Sequence, residues 1–318
     1  RELIKSRLKV YLPFVTPVFN VLRSATAVDL GCGRGEWLEL VGELGAKALG
    51  VDIDHNMLEA CAEINLNAVN ADAVTYLRDV ESESLCVVSA FHLVEHISFQ
   101  DLEDLISEAE RVLKPGGLLI LETPNPDNLV VGSHLFYSDP THIAPIPNTL
   151  LSFTVEFAGF KTVKAIFLQE DPEIHSKEPL SLLDVLAGVS PDYAIVAQKE
   201  GSEELSAALE KLFSQSYGVR LDELAKRYSD GLEQKLQGYE ELSLRAESQL
   251  ELVESQLTQY SDYPQIKESL VARIDMMESQ MSQHDIRLGI EEVSLQKAQD
   301  LLVSGQRDLR MDLEAMVK

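Results

Sequence analysis

The sequence predicts an α/β fold, a mostly parallel sheet covered on both faces, followed by a long α-helical coiled coil. Three observations predict it. Strand-like and helix-like runs alternate over about residues 1–200. A glycine cluster, Gly31-Cys-Gly33-Arg-Gly35, follows directly on an apolar run. From about residue 219 onward, apolar residues recur at alternating spacings of three and four. Continuous apolar strands separated by amphipathic helices are the pattern of a parallel sheet buried on both sides.

The elements follow in order. The basic stretch around Lys5, Arg7 and Lys9 reads as one face of a helix. Residues 26–30 (TAVDL) are a buried strand, then come the glycines and a helix running through Leu44. Residues 47–52 (KALGVD) form a second strand, with a helix from about Asn56, and a short third strand falls near 67–70. Residues 85–91 (LCVVSAF) form a fourth strand and 101–113 an amphipathic helix. Lys114-Pro-Gly-Gly117 is expected to turn, 118–122 (LLILE) to be a fifth strand, and 161–168 and 193–198 to complete the set.

Composition shifts near residue 200. Eleven of the twelve prolines and all three cysteines precede residue 192, and Pro264 is the one exception. We therefore expect a catalytic domain over 1–200, a linker over 201–218 and a coiled coil over 219–318 with a break near Pro264. One heptad seam fits Leu232, Leu236, Tyr239, Ser243, Ala246, Leu250, Val253, Leu257 and Tyr260. A second fits Leu270, Ile274, Met277, Met281, His284, Leu288, Glu291, Leu295, Ala298 and Leu302. A small helical bundle turning back at Pro264 would use the same residues. The narrow seam favours association between chains, because an isolated polar helix needs a partner. The seam residues themselves do not select two strands over three.

Charge and cysteine content limit the function. Lys+Arg number 27 against Asp+Glu 53, a formal charge of −26. Such a field repels phosphate backbones and anionic lipid, so nucleic acid is not an expected partner. Cys32, Cys61 and Cys86 fit no zinc or disulfide framework, which points to a reducing cytoplasm. There is neither a signal peptide nor a long apolar run. The chain begins at Arg1, as a fragment or a processed form would.

Asp29-Leu-Gly31-Cys-Gly33-Arg-Gly35 closes the first strand and opens the first interior helix. Glycine lets the backbone turn sharply and approach a ligand closely. Asp52 ends the second strand, 21 positions after Gly31, where an acid can accept two ribose hydroxyls. A dinucleotide site would use both devices but prefers a third glycine at position 36. Glu36 stands there instead and would repel a pyrophosphate. Asp29 and Glu36 suit a cationic ligand bearing an amino group. Asp72-Ala73 follows the third strand, Phe91-His92 the fourth, and Leu113-Lys-Pro-Gly-Gly117 precedes the fifth.

As a set these motifs resemble the class I S-adenosylmethionine-dependent methyltransferases over about residues 20–200. The resemblance implies a Rossmann-like seven-stranded methyltransferase sheet of strand order 3-2-1-4-5-7-6, with S-adenosylmethionine as cofactor. It implies that Gly31 and Gly33 contact the methionine part, Asp52 the ribose, and Asp72 and Ala73 the adenine. Asp29, Ile53 and Phe91 complete the implied cofactor set.

Methyl transfer to an alcohol needs a positioned acceptor and a base. Candidates cluster at the carboxyl ends of the fourth and fifth strands, where open α/β sheets bind ligands. His92-Leu-Val-Glu95-His96 offers His96 and His92, which share a face if the segment turns helically. His92 could equally pack beside the cofactor. The spacing is also that of a zinc peptidase motif, but no third ligand is evident and no metal is expected. The second candidate is the proline-rich segment 125–147, in which Tyr137, Asp139 and His142 could contact the acceptor, His142 also as base. A rigid surface loop with capping side chains is the plainer alternative.

"FYSDPTHIAPIP", "DLGCGRGEWLEL" and "SAFHLVEHI" together resemble bacterial methyltransferases of cell-surface polysaccharide synthesis, closest to the O-antigen chain-terminating methyltransferases. That resemblance implies a lipid-linked polymannose acceptor and a coiled coil that gauges chain length. It also implies a homo-oligomer, trimeric by preference, and a mannosyltransferase docking through the tail. The expected location is cytoplasmic, peripheral to the inner membrane. The competing expectations are a small-metabolite O-methyltransferase with a coiled coil only for assembly, and a non-catalytic assembly protein.

Overall fold

The structure is a computed structural model that describes residues 1–22 and 25–257, and positions 268, 269, 271–273, 275–277 and 279, which are helical. Its described elements run α1 (Glu2–Leu8), α2 (Leu12–Leu22), β1 (Thr26–Leu30), α3 (Glu36–Glu43), β2 (Lys47–Asp52), α4 (His55–Glu63), β3 (Ala68–Asn70), α5 (Ala73–Asp79), β4 (Leu85–Phe91), α6 (Phe99–Val112), β5 (Leu113–Pro124), α7 (Asn148–Phe157), β6 (Thr162–Leu168), α8 (Leu182–Ala187), β7 (Asp192–Gln198), α9 (Glu203–Ser214) and α10 (Leu221–Leu257). The strands form one seven-stranded sheet of order β3-β2-β1-β4-β5-β7-β6. The first five strands are parallel, and β7 runs antiparallel to both β5 and β6. The strand order and the reversed hairpin are those implied by the resemblance.

Strand alternation sorts side chains onto two faces. Val28, Leu30, Val88, Ala90, Leu119 and Leu121 face α5, α6 and α7 through Leu77, Leu105, Ile106, Leu151 and Val155. Ala27, Val87, Leu118, Ile120 and Val196 face α2, α3 and α9 through Phe14, Val18, Trp37, Leu40, Leu205 and Leu209. α6 starts where Ser98 accepts from the Asp101 backbone N–H, a side-chain cap ahead of its apolar face.

The basic N-terminal stretch finds its partners on α3. Arg1 lies 2.7 Å from Glu39, and Lys5 lies 3.0 Å from Glu43. The helix read from the spacing thus covers the element that follows the glycine cluster.

Two segments differ from the sequence reading. Lys114–Gly117 does not turn free of the sheet but begins β5, which runs Leu113–Pro124. Its backbone pairs beyond the end of β7: the Gly116 N–H donates to the Lys199 carbonyl at 3.1 Å, and the Lys199 N–H to the Gly117 carbonyl at 3.0 Å. Gly116 at φ +82° absorbs the irregularity, and the register against β4 shifts between Leu85 and Val87. In the segment expected to link the domains, α9 buries Leu205 and Leu209 against α2. A few i, i+4 apolar residues in an otherwise charged run do not reveal that a complementary face awaits them.

Two compact units result, Arg1–Gly231 and Leu232–Lys318. In the first, Leu224 at the start of α10 is buried with Val219, Ile174, Val185 and Val189, and Arg227 donates to the Ile174 and Lys177 carbonyls at 3.0 Å each. In the second, α10 is helical through Leu257, and the seam residues Leu232, Leu236, Tyr239 and Val253 are exposed in the single chain. Pro264 and every residue of the second seam except Met277, which is helical and exposed, lie outside the described residues. No helix among the described residues is long and apolar enough to cross a membrane.

Candidate active site

The glycine cluster turns at the carboxyl end of β1. Gly31, Gly33 and Gly35 have φ of +67°, +52° and +77°, a region open to glycine and costly for other residues. The Gly31 and Cys32 N–H groups both donate to the Val51 carbonyl at 2.7 and 3.1 Å, tying the loop to the end of β2. The Asp52 carboxylate then accepts the Gly33 N–H and the Asp54 N–H, both at 2.8 Å. A Cβ added at Gly33 would meet nothing within 4 Å, so its backbone borders open space beside a fixed carboxylate.

The other expected cofactor residues surround this point unequally. Asp72 caps α5, accepting the Thr75 N–H at 2.9 Å through one oxygen, and Ala73 begins that helix. Ile53 is 74% exposed at the end of β2. Phe91 ends β4, its ring packed against Tyr11 and Trp37 at 5.3 and 5.4 Å. Asp29 is buried and accepts from the Ser89 hydroxyl at 2.7 Å. Burial pushes the Asp29 carboxyl up to about 8; the Ser89 hydrogen bond opposes the shift, and the charges of Asp52 and Glu36 add to it. Its protonated form is therefore the folded form at neutral pH. An acid whose folded pKa is raised contributes stability that is fully present below its unfolded pKa near 3.8 and is lost as pH rises through about 8. Relative to Asp29→Asn, the wild type is expected to lose unfolding free energy between those limits. Parallel denaturant curves for the two proteins would refute the assignment.

His92 follows β4 in a left-handed conformation, φ +53°. Its Nδ1 lies 3.1 Å from Glu95 Oε1 and its Nε2 lies 3.4 Å from Glu122 Oε1. Glu122 also accepts from the Tyr11 hydroxyl. Burial disfavours charge on His92, but hydrogen bonds to Glu122 and Glu95 outweigh it and hold its pKa well above the usual histidine value. Burial raises the nearby Asp192 to about 6, with His92 opposing and Glu122 adding to the shift. Both His92 ring nitrogens thus face carboxylate oxygens.

His96 ends a short 3-10 turn, Val94–His96, and meets the 125–147 segment. Its Nδ1 lies 2.9 Å from the Thr141 hydroxyl, and its ring packs edge-on against His142 at 4.7 Å. His142 Nδ1 lies 2.6 Å from the Phe136 carbonyl. Asp139 accepts the Thr141 N–H at 2.8 Å and the Thr141 hydroxyl at 2.6 Å. The Ile143 N–H donates to the Glu95 carbonyl at 2.8 Å and pins the loop beside β4. Tyr137 stands on Phe136 at 5.4 Å, 63% exposed. The structure thus unites His96, His142 and Asp139, keeps Tyr137 at their edge, and separates His92 from them by the buried Glu95.

The sequence showed no third metal donor, yet donor atoms of Glu95, His96 and His142 lie within 4.8 Å of one another, as do those of His92, Glu122 and Asp192. Glu95 already accepts from His92 and, at 2.9 Å, from the Thr123 hydroxyl. The sequence reading missed Thr141, Glu122, Asp192 and Tyr11. An acid inside the apolar LLILE run was a signal for Glu122; nothing local marked Tyr11, whose partner lies 111 positions away.

Comparison with known proteins agrees with this geometry. A family model described as a methyltransferase domain matches residues 28–121. A solved S-adenosylmethionine-dependent methyltransferase from Archaeoglobus fulgidus is 34% identical with a TM-score of 0.55, over 63% of this chain and 94% of that one. The chain therefore belongs to the S-adenosylmethionine-dependent methyltransferases. Among curated relatives, the ubiquinone biosynthesis O-methyltransferase of Methylococcus capsulatus is 32% identical over 33% of this chain and 45% of its own length. The trans-aconitate 2-methyltransferase of Rhizobium rhizogenes is 35% identical over 37% of this chain and 45% of its own. The chain spans less than half the length of each of these two relatives. The residues fit the family's cofactor: the open face at Gly33 and the Asp52 carboxylate next to it suit a ligand with a ribose, and the Glu36 carboxyl suits one with an amino group.

Proposed function

We propose that this protein is an O-methyltransferase whose acceptor is a hydroxyl on the non-reducing-end sugar of a lipid-linked polysaccharide. S-adenosylmethionine supplies an electrophilic methyl group and a good leaving group. The chain's own work is to fix the acceptor and receive its proton. The observation that carries the reading is the His96–His142 pair beside the polar loop at the carboxyl ends of β4 and β5. An aliphatic hydroxyl is a poor nucleophile, and a neutral imidazole within reach is the base such chemistry needs. The hydroxyl oxygen forms the new bond to the methyl carbon, the carbon–sulfur bond breaks, and the proton passes to His96. Asp52, Gly31 and Gly33 hold the cofactor, with Asp72, Ala73, Ile53 and Phe91 around the adenosine. Tyr137 and Asp139 contact the sugar.

A polysaccharide acceptor is supported by the FYSDPTHIAPIP segment, which lies beyond the residues the family model covers. The seam exposed on α10 supports a coiled-coil homo-oligomer, trimeric by preference, which sets the distance between this site and a docked mannosyltransferase. The whole acts in the cytoplasm at the inner membrane through its partners. A second reading has one specific support: the curated relatives named above are named for small acceptors. Incubation with labelled S-adenosylmethionine and either mannose oligosaccharides or free phenols and carboxylic acids separates the two. Label on the oligosaccharide is the expected result. Label only on small acceptors, with normal cofactor binding, would overturn the polysaccharide acceptor.

A further inference from the structure

We infer that Thr141 and Asp139 are positioning residues that hold the His96 imidazole with Nδ1 protonated and Nε2 bare. The inference rests on the reading above, in which His96 is the base, and it adds two residues acting through that base.

The number of protons the three groups share fixes the tautomer. Thr141 Oγ1 lies 2.6 Å from Asp139 Oδ1 and 2.9 Å from His96 Nδ1. A hydroxyl has one proton to give, and an ionised carboxylate can only accept. The Thr141 hydroxyl is the main cause holding Asp139 below the usual carboxylate range, burial opposes it, and the Thr141 N–H, His142 and His96 add to it. Asp139 is therefore ionised at neutral pH and takes the hydroxyl proton. Thr141 Oγ1 then faces His96 with lone pairs alone, so His96 Nδ1 must donate. In the neutral ring the free lone pair falls on Nε2.

Two further contacts fix this direction. The Thr141 N–H donates to the same Asp139 oxygen at 2.8 Å, so the acid cannot swing away from the hydroxyl without losing both bonds. On the other side, His142 Nδ1 lies 2.6 Å from the Phe136 carbonyl, which accepts only, so His142 is locked in the same tautomer. With the two rings 4.7 Å apart, neither Nδ1 is open to the other ring. When His96 gains the acceptor's proton, both its N–H groups become donors, and the Nδ1–H already points at an oxygen aligned with a carboxylate. The arrangement has the logic of an acid that orients a catalytic imidazole, with a hydroxyl interposed.

The test is long-range nitrogen–proton NMR of protein labelled with 15N-histidine, at a pH where the imidazoles are neutral. The His96 signals are assigned by their loss in His96→Gln. The wild type is expected as the Nδ1–H form. Thr141→Ala is expected to move His96 towards the Nε2–H form, and Thr141→Ser to keep it. In turnover on mannose oligosaccharides, Thr141→Ala lowers kcat by about tenfold or more, and serine restores most of the loss. An Nε2–H form in the wild type overturns the inference without any variant. An unchanged tautomer in a folded Thr141→Ala protein does so as well. The spectra need no acceptor, so a failure of the proposed acceptor chemistry would be read separately in the turnover assay.

Discussion

His96→Ala is expected to lower methyl transfer by a factor of about 100 to 10,000, the range typical of a positioned general base. Cofactor affinity should stay within a few-fold of wild type, because His96 meets the 125–147 segment and not the glycine cluster. Single-turnover rates with labelled S-adenosylmethionine, beside calorimetric titration of the same preparation, measure both quantities. Full activity in His96→Ala would move the base to His142, whose ring lies at 4.7 Å. His92→Ala is the informative contrast. His92 has both nitrogens against Glu95 and Glu122, so its loss should disturb buried acids more than proton transfer. A large loss of kcat from His96 combined with a loss of stability from His92 is the pattern this geometry requires.

Asp52→Ala is expected to abolish measurable binding of S-adenosylmethionine. The carboxylate does two things at once. It accepts the Gly33 and Asp54 N–H groups at 2.8 Å each, which shapes the loop, and it remains the acceptor for ribose hydroxyls in the proposed complex. Each hydrogen bond to a charged group contributes about 1.5–3 kcal/mol, so losing two lowers affinity by more than about a hundredfold. Calorimetry on a variant with unchanged circular dichroism provides the check, and unaltered affinity would remove Asp52 from the cofactor site. Asp52→Asn should fall between, keeping one acceptor oxygen without the charge.

Much of the fold was legible because its signals are local. TAVDL, KALGVD, LCVVSAF and LLILE are short apolar runs bounded by turn residues, and each became a strand at nearly the expected place. The glycine loop was legible for the same reason: Gly31, Gly33 and Asp52 announce themselves by type and spacing, and the Gly33 N–H and the Asp52 carboxylate prove to be hydrogen-bonded partners. Legibility failed wherever a residue's partner is remote. Lys114–Gly117 has turn composition, yet pairs with Lys199 and so becomes strand. The segment before the long helix looks like a polar linker, yet Leu205 and Leu209 are buried against α2.

The acceptor side divides along the same line. The sequence determined that three histidines and an acid lie near the ends of the fourth and fifth strands. It could not determine their protonation, because that depends on what surrounds each ring. His92, His96 and His142 have the same side chain. Tertiary contacts with Glu95 and Glu122 favour the charged form of His92, whereas Thr141 and the Phe136 carbonyl meet the other two rings. Periodicity and residue type thus set the sheet, its helices and the cofactor loop, since backbone preferences and burial act over a few residues. Only the tertiary structure decided which groups meet each histidine ring, since hydrogen bonds and charges act between side chains that the fold alone brings together.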